Sequence, residues 1–288
     1  MFITDGGIGS VLTPFYSILV YFVIKRTAIR EKSVKVIMWL MIALNIFLFI
    51  NSQGYYTNWY FNRDRYINPN TIGMVMMYTC IYSSIFLRKL NVKNQKKYTL
   101  LVYIISVIGI LNVQSRGSLL ALISFIILDT IFSKKIWKNK KFTVIFYLIL
   151  VFIGVLIPYA YTQLYNSGFQ FIIPFTDKPI YTGREVIWNN FYYELSNNNI
   201  SLFFGLGSNA NLWGGQSLNL HNNYLGVLAN FGVLGFILYY SFWFFQIKSF
   251  FRQRIIENSQ ISLLLGFFTV LINGFFEIST LWHVMFFF

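Results

Sequence analysis

The chain has 288 residues; 56% are hydrophobic, 11% are charged and the mean hydropathy is +0.57. Soluble domains carry about 25% charged residues, so this composition excludes an ordinary soluble enzyme and indicates a membrane protein. The net charge of +14 does not indicate nucleic acid either, because the 23 Lys and Arg fall in alternate loops and form no single patch.

In chain order, apolar runs lie at 8–24, 34–50, 69–87, 98–113, 117–133, 142–160, 222–247 and 260–276. Each is near the roughly 20 residues that cross a bilayer. Loops 25–35, 88–97, 134–141 and 248–257 hold five, five, five and three basic residues. Loops 51–67, 114–116 and 161–221 hold two, one and two. Basic-rich loops stay in the cytoplasm, which puts the poor loops and the N-terminus outside. No signal peptide is recognisable. The closing "EISTLWHVMFFF" resembles the start of a ninth span, so the chain is expected to be truncated or the C-terminal part of a longer architecture. The expected fold class is all-α: a polytopic helical bundle of eight or nine spans, with 1–288 forming a single transmembrane domain. The lone Cys80 allows no intrachain disulfide.

Five basic residues face outward, and four are arginine: Arg63, Arg65, Arg116 and Arg184, beside Lys178. The cytoplasmic loops use thirteen lysines and five arginines. Lysine suffices to anchor a loop, whereas the guanidinium fork binds phosphate bidentately. Arg63 and Arg65 precede Asn68-Pro69-Asn70, where Asn68 caps the third span and Pro69 fills its first turn. Arg116 opens the fifth span. Helix N-termini furnished with arginines make an anion site; the plainer reading is that such arginines anchor helix ends at the interface.

The long outward loop 161–221 carries "YTGREVIWNNFYYELSNNN". Thr182 and Glu185 are spaced as a capping box. Ile187, Trp188, Phe191, Tyr192 and Leu195 share one helical face, so a short amphipathic helix near 183–195 is expected on the outer membrane surface. "FFGLGSN" forms a glycine turn. His221 then opens the seventh span. A positive helix end disfavours imidazolium, so a neutral ring there could act as a general base; it could equally be an interfacial capping residue. Asn222 and Asn223 orient the ring or bind sugar hydroxyls. Gly226, Gly232 and Gly235 allow close helix packing.

Glu277 ends the eighth span near the outer face. It orients His221, pairs with an arginine, or snorkels as an interfacial carboxylate. Asp129, beside Lys134 and Lys135, is structural, and His283 is a packed histidine. The acids are too scattered to hold a metal, and no cofactor is expected.

"SRGSLLALI" (115–123), "TGREVIWNN" (182–190), "GLGSN" (205–209), "HNNYLGVLANFGVLGF" (221–236) and "NGFFE" (273–277) occur in this order. Together with "NRDRYINPNTIG", they resemble the O-antigen ligase and polysaccharide polymerase family, including Wzy-type capsule polymerases. The resemblance covers about residues 65 to 280. It implies a GT-C-like membrane glycosyltransferase that moves a saccharide from a polyprenyl-diphosphate carrier to an acceptor sugar. No nucleotide sugar or metal is required, and the site faces the extracytoplasmic side. The resemblance assigns Arg116 and Arg184 to the diphosphate and His221 to the acceptor hydroxyl. Arg63, Arg65, Asn222, Asn223 and Glu277 would contact substrate. The implied partners are lipid-linked donor and acceptor saccharides, membrane lipid, a chain-length regulator and a flippase, with no nucleic acid. Family members commonly have ten or more spans, which leaves the first part of the fold without a counterpart.

An Ile-, Asn- and Lys-rich composition suits a low-GC bacterium with a surface polysaccharide and favours the polymerase over the ligase. A flippase or transporter of lipid-linked saccharide should show internal repeats and polar groups in mid-span. The midplanes of the spans here are nearly pure Ile, Leu, Phe and Val, and the polar groups cluster at one face. A passive scaffold would not need outward arginines at helix mouths.

Overall fold

A computed structural model describes residues 31–171, 181, 183–197, 199–207 and 220–277. The first expected span at 8–24, the start of a ninth, and Pro174, Lys178, Pro179, Thr182 and His283 lie outside the described residues. All regular structure among the described residues is helical. The chain divides into two compact units.

One unit runs to Lys138 and includes Ile255–Asn273. It holds α1 (Glu31–Ile50), α2 (Tyr55–Phe61), a 3-10 turn (Arg63–Arg65), α3 (Pro69–Lys89), α4 (Gln95–Asn112), α5 (Arg116–Ile126), α6 (Lys134–Trp137) and, from the far end of the chain, α11 (Asn258–Asn273). Asn68 caps α3 by accepting from the Asn70 N–H at 2.9 Å, and Pro69 occupies the first helical position, where its missing N–H costs nothing. The apolar stretch of α3 is 72% buried and that of α1 only 22%, so α3 is the central helix of this unit. The expected fifth span is shorter than its apolar run suggested. The α-helix stops at Ile126, and Ile127–Ile131 continues as a π-turn.

Two buried polar groups tie this unit together. Asn45 donates to Met76 O, to Thr79 Oγ1 at 2.8 Å and to Ser106 Oγ at 2.9 Å, joining α1, α3 and α4. The spans are therefore less purely apolar than the sequence suggested. Their polar groups satisfy one another, as expected of interhelical packing in lipid. Asp129, in the π-turn, is buried against Arg88 and Lys134, and Ser262 Oγ of α11 donates to it at 2.6 Å. Burying one carboxylate among these donors locks α3, the π-turn, α6 and α11 in place.

The other unit comprises Asn139–Arg254 and the stretch from Gly274. It holds α7 (Lys140–Asn166), α8 (Arg184–Asn197), α9 (Asn199–Phe204) and α10 (Asn223–Phe250). α7 outruns its apolar run 142–160 at both ends, reaching from Lys140 to Asn166, and carries Pro158 internally. α10 is two helical segments: Gly232, at φ 63° and ψ −168°, breaks it. The break lets α9 in, since a Cβ on Gly232 would stand 2.3 Å from Phe203 O. The Ala229 carbonyl, freed at the break, accepts from the N–H groups of Leu206 (2.7 Å) and Gly207 (3.2 Å). The eighth span ends earlier than 276, because α11 stops at Asn273 and Gly274–Phe276 form a turn.

Among the described residues, four helices are long and apolar enough to cross a membrane: Glu31–Ile50, Pro69–Lys89, Lys140–Asn166 and Asn223–Phe250. Leu238, Phe245 and Phe152 are among the large side chains they leave exposed, which suits a lipid-facing surface.

Candidate active site

Arg184 is the first residue of α8, and the residues around it fix its position. Gly183, at φ 91°, donates its N–H to both oxygens of Glu185 (2.9 and 3.1 Å), so a buried carboxylate caps the helix from inside its first turn. The apolar face of α8 is covered by protein rather than laid on a lipid surface. Ile187, Trp188 and Phe191 pack in one core with Leu220, Leu225, Leu228 and Ala229. That packing joins the start of α8 to the start of α10.

Trp188 makes the join directional. Its side chain is 1% exposed, and its indole N–H donates to Leu220 O at 2.6 Å, immediately before His221. The sequence showed Trp188 only as part of an apolar stripe. The available signal was the choice of tryptophan at a buried position, because its N–H demands an acceptor there. His221 itself has φ 47°, the left-handed region that histidine tolerates better than most side chains but at a cost of about 1 kcal/mol or more. Asn222 caps α10, with Oδ1 accepting from the Leu225 N–H at 2.8 Å. Its Nδ2 donates to Phe275 O at 2.9 Å and to Gly154 O at 3.3 Å. Asn222 is fully buried and so engaged in holding the fold. Asn223 is also buried, and its N–H donates to Gly274 O at 2.8 Å.

These bonds bring Glu277 to the same place. Arg184 Nη2 donates to Glu277 Oε1 at 2.8 Å, across 93 positions of sequence. Glu277 Oε2 lies 3.6 Å from His221 Nδ1. The Glu277 side chain is 9% exposed, Arg184 20% and His221 32%. A cation, an imidazole and a carboxylate thus meet at the mouths of α8 and α10, with Arg184 and His221 partly exposed and Glu277 buried between them.

The remaining candidates are in the other unit. Arg116 is the first residue of α5, behind Gln114 at φ 56° and the buried Ser115. The approach there is close: a Cβ on Gly73 of α3 would stand 2.3 Å from Ser115 Cβ. Arg63 lies over the rings of Trp59 (5.2 Å) and Tyr60 (5.6 Å), so its charge rests on aromatic faces. Arg65 is exposed in the same 3-10 turn.

Residues 101–240 match a family described as O-antigen ligase. Over that stretch, just under half of its length, the chain is similar to the O-antigen ligase family. Arg116, Arg184, His221, Asn222 and Asn223 fall inside the matched region, whereas Arg63, Arg65 and Glu277 fall outside it. No curated protein and no solved structure matches the chain. The long apolar helices and the similarity to a family of glycosyltransferase-like enzymes together indicate a multi-pass membrane protein.

Proposed function

We propose that the chain is a polysaccharide polymerase, joining polyprenyl-diphosphate-linked saccharide units at the extracytoplasmic face of a bundle of eight or nine spans with a GT-C-like fold. The observation that supports this most directly is the meeting of Arg184 and His221 around one carboxylate at adjoining helix mouths. In the proposed reaction the acceptor hydroxyl attacks the anomeric carbon of the donor sugar. The new C–O glycosidic bond forms as the bond from that carbon to the diphosphate oxygen breaks. The hydroxyl proton passes to His221 Nε2, and the electron pair leaves with the polyprenyl diphosphate.

Each residue has a physical part in this. A sugar hydroxyl is a poor nucleophile, and a positioned base contributes about 10²–10⁴-fold. The leaving diphosphate accumulates negative charge, which the guanidinium of Arg184 stabilises through charge-assisted hydrogen bonds; Arg116 remains assigned to the diphosphate by the family resemblance alone. Arg63 and Arg65 attract the anionic headgroup without entering the chemistry. The donor is a lipid-linked diphosphate and not a nucleotide sugar, because the basic-poor loops that carry the arginines are assigned to the outside.

A ligase of the same family is the second reading, and the description of the matched family favours it. One experiment separates the readings. In a strain lacking the chromosomal gene, His221→Ala or Arg184→Ala protein should insert but build no polymer, and single lipid-linked units should accumulate on the outer leaflet. Accumulation of finished polymer on its carrier would indicate the ligase. Accumulation on the inner leaflet would overturn both and leave a flippase.

A further inference from the structure

Glu277 has no assigned step in that chemistry, yet it is the residue on which the site converges. It follows α11 through the turn Gly274–Phe276, and that turn is fixed from the other side by Asn222 and Asn223, which bond Phe275 O and Gly274 O. Its two oxygens do different things: Oε1 accepts from Arg184 at 2.8 Å, and Oε2 stands 3.6 Å from His221 Nδ1. The first is a full charge-assisted hydrogen bond, while the second is just outside hydrogen-bond range.

We infer that Glu277 is a positioning residue that couples donor binding to acceptor activation, holding Arg184 with one oxygen and orienting His221 with the other. The inference rests on the polymerase reading and deepens it. A guanidinium offers five donors, and this carboxylate accepts from one nitrogen, Nη2. The pair is also close to neutral, so Arg184 holds a diphosphate less tightly than an unpaired guanidinium would. When a diphosphate draws the guanidinium toward itself, the carboxylate loses part of its partner's charge. His221 Nδ1 stands beside its other oxygen, and closing 3.6 Å to hydrogen-bond range needs a shift of well under 1 Å. A carboxylate on Nδ1 fixes the proton there and leaves the Nε2 lone pair for the acceptor hydroxyl. It also stabilises the imidazolium as that proton arrives. The base is thereby completed when the donor is bound.

This predicts a split that a purely structural carboxylate would not give. In Glu277→Gln protein, kcat should fall on the order of 10²-fold, while KM for the lipid-linked donor falls too because Arg184 is no longer neutralised. Glu277→Asp should recover part of kcat. A parallel loss of kcat and rise in KM, with no rescue by Asp, would overturn the inference. So would an unchanged kcat.

A second measurement does not depend on turnover. The chain has only two histidines, so the imidazole ¹⁵N signals of labelled protein in nanodiscs can be assigned with His221→Ala. On adding polyprenyl diphosphate, the His221 signal should move to the Nδ1–H tautomer in wild type and not in Glu277→Gln. If the tautomer responds but wild type fails to extend lipid-linked units, the polymerase reading fails and the coupling stands. If wild type extends them and the tautomer ignores Glu277, the coupling fails alone.

Discussion

Pro158 has no N–H, so the carbonyl of Gly154, four residues back in α7, loses the partner a regular helix would supply. Asn222 supplies a replacement from another helix, with Nδ2 donating to that carbonyl at 3.3 Å. Gly154 also has to be glycine, because a Cβ there would enter the Tyr224 ring at 2.4 Å. A proline and an asparagine far apart in sequence are therefore one device, which sets the start of α10 and the His221 backbone beside it. Asn222→Ala strands these buried groups and should lower stability by about 2 kcal/mol or more, read by thermal unfolding in detergent. Pro158→Ala returns an N–H to the Gly154 carbonyl, so Asn222→Ala should cost less in that background. An equal cost in both backgrounds would show that Asn222 does not serve that carbonyl.

Among elements, the broken helix α10 shows where a sequence stops being readable. Gly226, Gly232 and Gly235 look alike within one apolar run, and nothing local marks Gly232 as the break. What selects it is the approach of the α9 backbone at Phe203–Phe204, a tertiary event. Gly232→Ala combines a left-handed φ with a backbone clash and should cost on the order of 3 kcal/mol or more. Gly207 has φ 79° but open space around it, so Gly207→Ala should cost about 1 kcal/mol. Similar melting points for the two variants would mean that the α9 approach does not hold the break. Other features were local and hence legible. Asn68 and Pro69 announce α3 by themselves, since a cap and its first turn are adjacent in sequence. The spacing of Ile187, Trp188, Phe191, Tyr192 and Leu195 marks a helix face, though only the structure tells that protein covers it. The sequence already offered Lys134 for Asp129, and His221 or an arginine for Glu277, and the structure bears these out; the same limit hid the partners of Asn45, the part of Arg88, and which arginine meets Glu277. Arg88 lies 41 positions from Asp129 and Arg184 lies 93 from Glu277, beyond any periodic pattern.

At the scale of the whole molecule, function depends on which side of the membrane each loop occupies. The proposal needs the loops bearing Arg63, Arg116 and Arg184 outside, where lipid-linked units are polymerised. That side follows from one asymmetry: the loops around Lys96, Lys138 and Lys140 are lysine-rich, and the alternate ones are nearly free of lysine. The single native cysteine is buried, so a Cys80→Ser chain gives a clean background for labelling. Asn58, in the short helix α2, and Lys96, in the first turn of α4, are exposed and flank α3 at its two opposite ends. A membrane-impermeant maleimide should label Asn58→Cys in intact cells, and Lys96→Cys only after permeabilisation. The reverse pattern would place Arg63 and Arg65 in the cytoplasm and invert the orientation on which an outward-facing transferase depends. The pattern is expected because inverting the chain would carry the lysine-rich loops across the bilayer, against the bias that sets orientation during insertion.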